Sequence, residues 1–204
     1  MDKGKLRLVL ELSKHVNRFI QHKTFRYEDL RTLAEITETG DYFVTFDLKS
    51  GYHHIDIHPE HQKYLGFEWT FCNGETKWFV FTVLPFGLKS ASYVFTKIMR
   101  PFPKLWRQKG FKTILYLDDG IVAHRTEQLT EEAGFFVQST LIAAGFHINW
   151  EKSNFVPTQK GRWLGTIIDT VSLEFSVPYE KLNSLKSAIK DTTTKKSSTA
   201  KRLA

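Results

Sequence analysis

The sequence predicts an α+β fold in which antiparallel strands pack on helices, and three observations predict it. Short apolar and aromatic runs come in pairs around tight-turn residues, the mark of β-hairpins. Between the pairs the apolar spacing switches from two to three and four, the mark of amphipathic helices. The 204 residues are 41% hydrophobic and 14% aromatic, enough apolar surface for a full core and too much for a disordered chain.

Leu8, Leu10 and Leu12 alternate and lead to Val16 and Ile20, which predicts a strand running into a turn. Tyr42 to Phe46 is aromatic and β-branched, hence a strand, and it ends at Asp47, a residue type disfavoured inside sheets. Leu65 to Phe71 and Lys77 to Val83 flank Asn73-Gly74, a dipeptide suited to positive φ, and so predict a hairpin. Behind Ser90, Ala91, Val94, Phe95, Ile98 and Phe102 recur at helical spacing; this predicts a serine-capped helix whose end Pro101 and Pro103 disturb.

Thr113 to Leu117 and Ile121 to Ala123 enclose Asp118-Asp119-Gly120, a second hairpin around an acidic turn. Leu129, Ala133, Phe136, Val137, Thr140, Leu141 and Ala144 line one helix face, and Gly145 stands where such a helix stops. Asn154 to Val156 with Arg162 to Ile168 predicts a third hairpin, and Leu182, Leu185 and Ile189 after Pro178 predict a further helix. Thr192 to Thr199 reads as a linker. Ser197-Ser198-Thr199 looks like a cap with too few residues behind it for a stable helix, so the chain is expected to stop inside an element.

Cys72 is the only cysteine, so no internal disulfide can form, and an intracellular chain is expected, in nucleus or cytoplasm. Lys and Arg number 29 against 22 Asp and Glu, a net charge of +7 that permits a polyanionic partner. No apolar run approaches the ~20 residues that cross a bilayer, and the first residues lack a secretory signal; neither spanning nor export is expected.

Carboxylates stand at two strand ends, Asp47 in one place and Asp118-Asp119 in the other. Singly, each reads as turn or cap chemistry. If the two strands are neighbours, three carboxylates meet at one sheet edge, and a divalent cation relieves their repulsion. Hard oxygen donors without thiolates favour Mg²⁺ over Zn²⁺, and two such ions could clamp the attacking and leaving oxygens of a phosphoryl transfer.

Phe46-Asp47-Leu48-Lys49-Ser50-Gly51-Tyr52, Leu84-Pro85-Phe86-Gly87-Leu88-Lys89-Ser90-Ala91 and Tyr116-Leu117-Asp118-Asp119 resemble, in order, the polymerase motifs of reverse transcriptases. Ala144-Gly145-Phe146 through Asn149-Trp150-Glu151-Lys152-Ser153, and Trp163-Leu164-Gly165, resemble the two motifs that complete the palm. The stretches Gly51 to His58, Tyr64 to Trp69 and Tyr116 to Gly120 are most similar to DIRS-type retrotransposons, which pair this enzyme with a tyrosine recombinase. The likeness covers about residues 5 to 204. It implies a polymerase palm with partial fingers over 1–40, palm over 41–57, a fingers hairpin over 58–84, palm with a primer-grip hairpin over 85–177, and the start of a thumb or connector over 178–204.

The resemblance implies an RNA- and DNA-templated DNA polymerase acting on dNTPs and a template-primer, with two Mg²⁺ ions, Mn²⁺ being a possible substitute. In the full polyprotein, RNase H and thumb segments are expected to accompany it. Asp47 and Asp118 would bind both ions, Asp119 would support them, and Leu48 would lend its carbonyl. Ser50 and Gly51 would offer backbone N–H groups to the triphosphate, and Tyr52 would be the aromatic gate against a ribose 2′-hydroxyl. Phe86 stands where retroviral enzymes carry Gln, leaving stacking or packing as its contact to the nucleotide. Arg7, with Lys5 near it, falls in a stretch resembling the fingers strand that holds the triphosphate, although Glu11-Leu12-Ser13 replaces the usual Asp-Leu-Arg. Lys152 matches a lysine near the departing pyrophosphate. Tyr116, Leu117, Trp163, Leu164 and Gly165 would meet primer and template.

Two alternatives stand beside this reading. An RNA-templated RNA polymerase shares the palm and the Asp-Asp turn, but a bulky Tyr52 speaks against it. A nucleic-acid-binding remnant that no longer polymerises is disfavoured by the intact carboxylates. His53, His54, His58 and His61 suggest a metal without offering a full zinc ligand set, and Cys72 reads as a packing residue.

Overall fold

The computed structural model describes residues 8–193. Its elements, in chain order, are α1 (Leu30–Ile36), β1 (Tyr42–Asp47), α2 (Pro59–Gln62), β2 (Gly66–Thr70), β3 (Thr76–Val80), α3 (Ala91–Met99), α4 (Pro101–Gln108), β4 (Lys112–Tyr116) and β5 (Asp119–His124). After them come α5 (Glu127–Ala143), β6 (Asn154–Thr158), β7 (Lys160–Trp163), β8 (Thr166–Asp169), β9 (Glu174–Ser176) and α6 (Tyr179–Thr193). The fold is α+β, with a four-stranded antiparallel sheet in the order β4-β5-β1-β6 at its centre.

Strand β1 is apolar on both sides because both are covered. Val44, Phe46 and, just beyond the strand, Leu48 face a core with Phe95 and Met99 of α3, Trp106 of α4 and Val137 and Leu141 of α5. Phe43 faces a second core with Leu33 of α1, Ile114, Ile121, Trp163 and Ile168, so the three-stranded sheet β7-β8-β9 and α1 close the other side. Each such fully buried side chain contributes roughly 1.5–3 kcal/mol, and together they fix where β1 ends. Helix α5 stops as expected: Gly145 takes φ +85°, with Phe146 N–H donating to the Leu141 carbonyl and Gly145 N–H to that of Ile142.

Several expectations change. Residues 8–12 form no strand; one parallel bridge joins Val9 to Phe86, and Leu10 N–H donates to the Phe86 carbonyl at 3.0 Å. Asn17 clasps this segment to the loop before α3, donating to the Gly87 carbonyl and accepting from Lys89 N–H, both at 2.8 Å. Gly87, at φ +98°, allows the approach, since any Cβ there would collide with the Leu10 carbonyl. Ser90 is helical and its hydroxyl makes no cap bond, so α3 starts without one. Pro101 does not merely end a helix; it opens α4 at the first position, where a missing N–H costs nothing.

Helix α1 was not anticipated; Asp29 caps it, its carboxylate accepting from Arg31 N–H at 2.8 Å and Thr32 N–H at 3.4 Å. The third hairpin is β7 with β8, extended by β9, whereas β6 joins the central sheet beside β1. Pro157 is tolerated in β6 because it lies at the sheet edge. The acidic turn is one residue earlier than expected: Leu117 and Asp118 turn, while Asp119 and Gly120 already belong to β5. Thr192 and Thr193 end α6 rather than opening a linker; the cap at 197–199 and the segment 200–204 lie outside the described residues.

Candidate active site

The site is built where β1 runs out. Asp47 lies directly opposite Asp119 in the β1/β5 ladder, and opposite residues in an antiparallel pair share a face. Past Asp47 the chain stays tied to the acidic turn, with Leu48 N–H donating to the Asp118 carbonyl at 2.8 Å. Lys49 N–H then donates to the His147 carbonyl at 2.8 Å, and Ser50 turns left-handed at φ 57° to launch the short helical turn Gly51–His54. Gly120 is glycine for want of room: the Phe46 ring lies where its Cβ would be, which lets the acidic end of β5 close on β1.

Asp47 is 8% exposed and tied to the loop after α5. Its N–H donates to Ser153 Oγ at 3.0 Å, and its carbonyl accepts from Asn149 N–H at 2.8 Å. Asn149 Nδ2 donates to Oδ1 at 2.7 Å, and Lys152 Nζ stands 3.9 Å from Oδ2. Sequence reasoning gave Asn149 and Ser153 no role; the signal was their place in the string Asn149 to Ser153, between the stop of α5 and β6.

A cleft of about 470 Å³ opens over this point and gathers Asp47, Leu48, Ser50, Gly51, Tyr52, Phe86, Leu117, Asp118 and Lys152, joined by Asn149 and His53. Asp119 lines a neighbouring groove of about 710 Å³ with Tyr116, Leu164, Gly165 and Lys181. Leu164 and Gly165 form the β7–β8 turn, both at positive φ, whereas Trp163 is turned into the core and 4% exposed. Arg7 and Lys5 lie outside the described residues. His54 pairs with His147 through their ring nitrogens at 3.1 Å, and the His58 and His61 rings lie tilted with centroids 5.6 Å apart; neither pair by itself makes a metal cage.

Burial first, then the Asp118 and Asp47 charges, push the Asp119 carboxyl up to about 6, against the pull of Lys152. Burial and the neighbouring carboxylates both disfavour the charged form, and a cation beside them would relieve that cost. Among the described residues no three His, Cys, Asp or Glu side chains stand ready to hold a metal by themselves. The residue types nevertheless suit a hard cation: Asp47, Leu48 and Asp118 line one cleft, and Mg²⁺ is commonly held by one or two carboxylates with substrate phosphates completing the shell.

Residues 2–168 match the family described as reverse transcriptase (RNA-dependent DNA polymerase). The chain is 34% identical over 124 residues to the genome polyprotein of Petunia vein clearing virus, covering 61% of this chain and 5% of that polyprotein. It is 29% identical over 162 residues to the retrovirus-related Pol polyprotein from transposon opus of Drosophila melanogaster, covering 79% of this chain and 15% of the relative. Among solved structures, the foamy viral protease-reverse transcriptase in complex with RNA/DNA hybrid superposes with a TM-score of 0.73 at 22% identity, over 88% of this chain and 23% of that one. The dRH form in complex with double-stranded DNA gives 0.72 at 23% identity, over 91% and 31%. The chain thus spans a small part of each protein it matches.

Proposed function

The chain belongs to the reverse transcriptase (RNA-dependent DNA polymerase) family, and from that membership we propose that it is the palm and part of the fingers of a retrotransposon polymerase. It adds a deoxynucleotide from a dNTP to a primer 3′-hydroxyl, on RNA or DNA template. The observation that carries this reading is the meeting of Asp47 and Asp118 in one cleft with Tyr52 and Phe86, from three separated motifs.

In this reading the carboxylates of Asp47 and Asp118 and the Leu48 carbonyl would hold two Mg²⁺ ions, with Asp119 supporting from the adjacent groove. The chemistry such ions supply is stabilisation of charge on an in-line displacement at phosphorus. The primer hydroxyl attacks the α-phosphate and pyrophosphate leaves. Asn149 fixes the Asp47 carboxylate through Oδ1, and Lys152, 3.9 Å from Oδ2, stands beside the cleft where it would meet the departing phosphates. Ser50 and Gly51 cradle the triphosphate, with Arg7 and Lys5 as its candidate basic partners, and Tyr52 excludes a 2′-hydroxyl while Phe86 packs beside it.

Tyr116, Leu164 and Gly165, lining the groove with Asp119, meet the primer terminus; Leu117 faces the catalytic cleft, and Trp163 supports the turn from the core. The segment boundaries 41–57 and 85–177 for palm and 58–84 for the fingers hairpin follow the same reading, as do the DIRS-type assignment and the thumb and RNase H partners. One observation favours a non-catalytic remnant instead, namely that Asp119 does not line the Asp47 cleft. Primer extension on RNA and DNA templates separates the two: the polymerase reading requires dNTP addition that Mg²⁺ supports and a chelator stops. Salt-sensitive binding without extension would establish the remnant.

A further inference from the structure

Tyr52 and Ser92 lie 40 residues apart, one on the turn after β1 and the other in the first turn of α3, yet their hydroxyls meet at 2.7 Å. The Tyr52 ring is tilted against Phe86, centroids 5.1 Å apart, and against Phe95 at 5.3 Å. Burial pushes the phenol above its ordinary value, with the Ser92 bond pulling the other way, so Tyr52 stays a neutral hydroxyl. The ring contacts restrict its position but carry little direction. The hydrogen bond is what fixes the angle.

We propose that Ser92 is a positioning residue for sugar discrimination, tying the Tyr52 hydroxyl to α3 so that the nucleotide meets an apolar ring and no polar group. The inference rests on the reading of Tyr52 as the sugar gate. A phenol free to swing could hydrogen-bond a ribose 2′-hydroxyl and so reward the sugar it ought to exclude. Bound to Ser92, the same phenol has its partner inside the protein, and the ring acts as a wall. Selectivity therefore depends on where α3 sits as well as on the bulk of Tyr52.

The test is single-nucleotide incorporation by the full chain, comparing kcat/KM for a dNTP with that for its rNTP. Ser92→Ala is expected to lower the ratio about three- to tenfold, the worth of one hydrogen bond, mainly through a lower KM for the rNTP. Ser92→Thr, which keeps the hydroxyl, restores the ratio. Tyr52→Phe, which carries no hydroxyl to offer a ribose, keeps the ratio near the wild-type value, and adding Ser92→Ala to it changes the ratio no further. A merely structural serine would move both sugars equally and leave the ratio alone. If Tyr52→Ala admits ribonucleotides and Ser92→Ala does not, the inference about Ser92 is overturned while the gate stands. If Tyr52→Ala leaves selectivity unchanged, or the wild type extends no primer, the underlying reading falls and this one with it.

Discussion

Asp119 faces Asp47 across the β1/β5 ladder, a like-charge pair that destabilises the sheet until a cation arrives. Its carboxyl is raised from an ordinary 3.8 to about 6, by burial and then by Asp118 and Asp47. Between those values the folded chain holds a proton that the unfolded chain has released, so this group's contribution to stability falls as pH rises through that window. Above it, charged Asp119 costs the metal-free fold about 1–2 kcal/mol, after allowance for solvent screening at a partly exposed side chain. Asp119→Asn is therefore expected to stabilise the chain by that amount in chelator at pH 7 and by little at pH 4.5, read from urea unfolding. Equal effects at the two pH values would contradict this origin. The carboxylates themselves were legible in sequence because the motifs hold them in order. Asn149 and Ser153 were not, since a neutral side chain that clamps a backbone and one carboxylate oxygen leaves no charge pattern to read.

At the level of elements, β1, the β4–β5 hairpin and α5 were legible because each carries its own period and its own stop. The pairing of β6 with β1 was not, because partner choice is decided across the sheet and not by the nearest turn. Two junctions show what holds these elements in place. Gly120 admits the Phe46 ring against β5, so Gly120→Ala is expected to cost about 3 kcal/mol by overpacking and to loosen the end of β1, measurable by chemical denaturation. Just before β1, the Asp41 carboxylate is 1% exposed and is bound by Lys112 of β4 at 2.6 Å and by Glu38 N–H at 2.8 Å. Among the described residues Lys112 is the only cation at 4 Å or less from it, and Lys112→Met is expected to cost about 2–3 kcal/mol, since an unpaired buried charge is left behind. A loss under about 0.5 kcal/mol would show that water reaches Asp41.

Across the whole molecule, a net charge of +7 is spread over a surface that must track a polyanion if the proposed function holds. Affinity for a template-primer should then fall steeply between roughly 50 and 200 mM salt as condensed counterions are displaced less profitably. A flat salt dependence would argue against backbone contacts. The described residues end on α6, whose Leu182, Leu185 and Ile189 stand 38–58% exposed on one face, and the sequence pattern that revealed the helix gave no hint of what that face meets. The central claim, that Asp47 and Asp118 form a metal-dependent transfer site, is tested most directly by single-nucleotide extension of a primed RNA template in Mg²⁺. Wild type and Asp118→Asn are compared, with binding followed in parallel. The account predicts addition by the wild type, none above background by Asp118→Asn, and binding within about twofold, because Lys and Arg contacts carry that affinity. Extension by Asp118→Asn at the wild-type rate would contradict it.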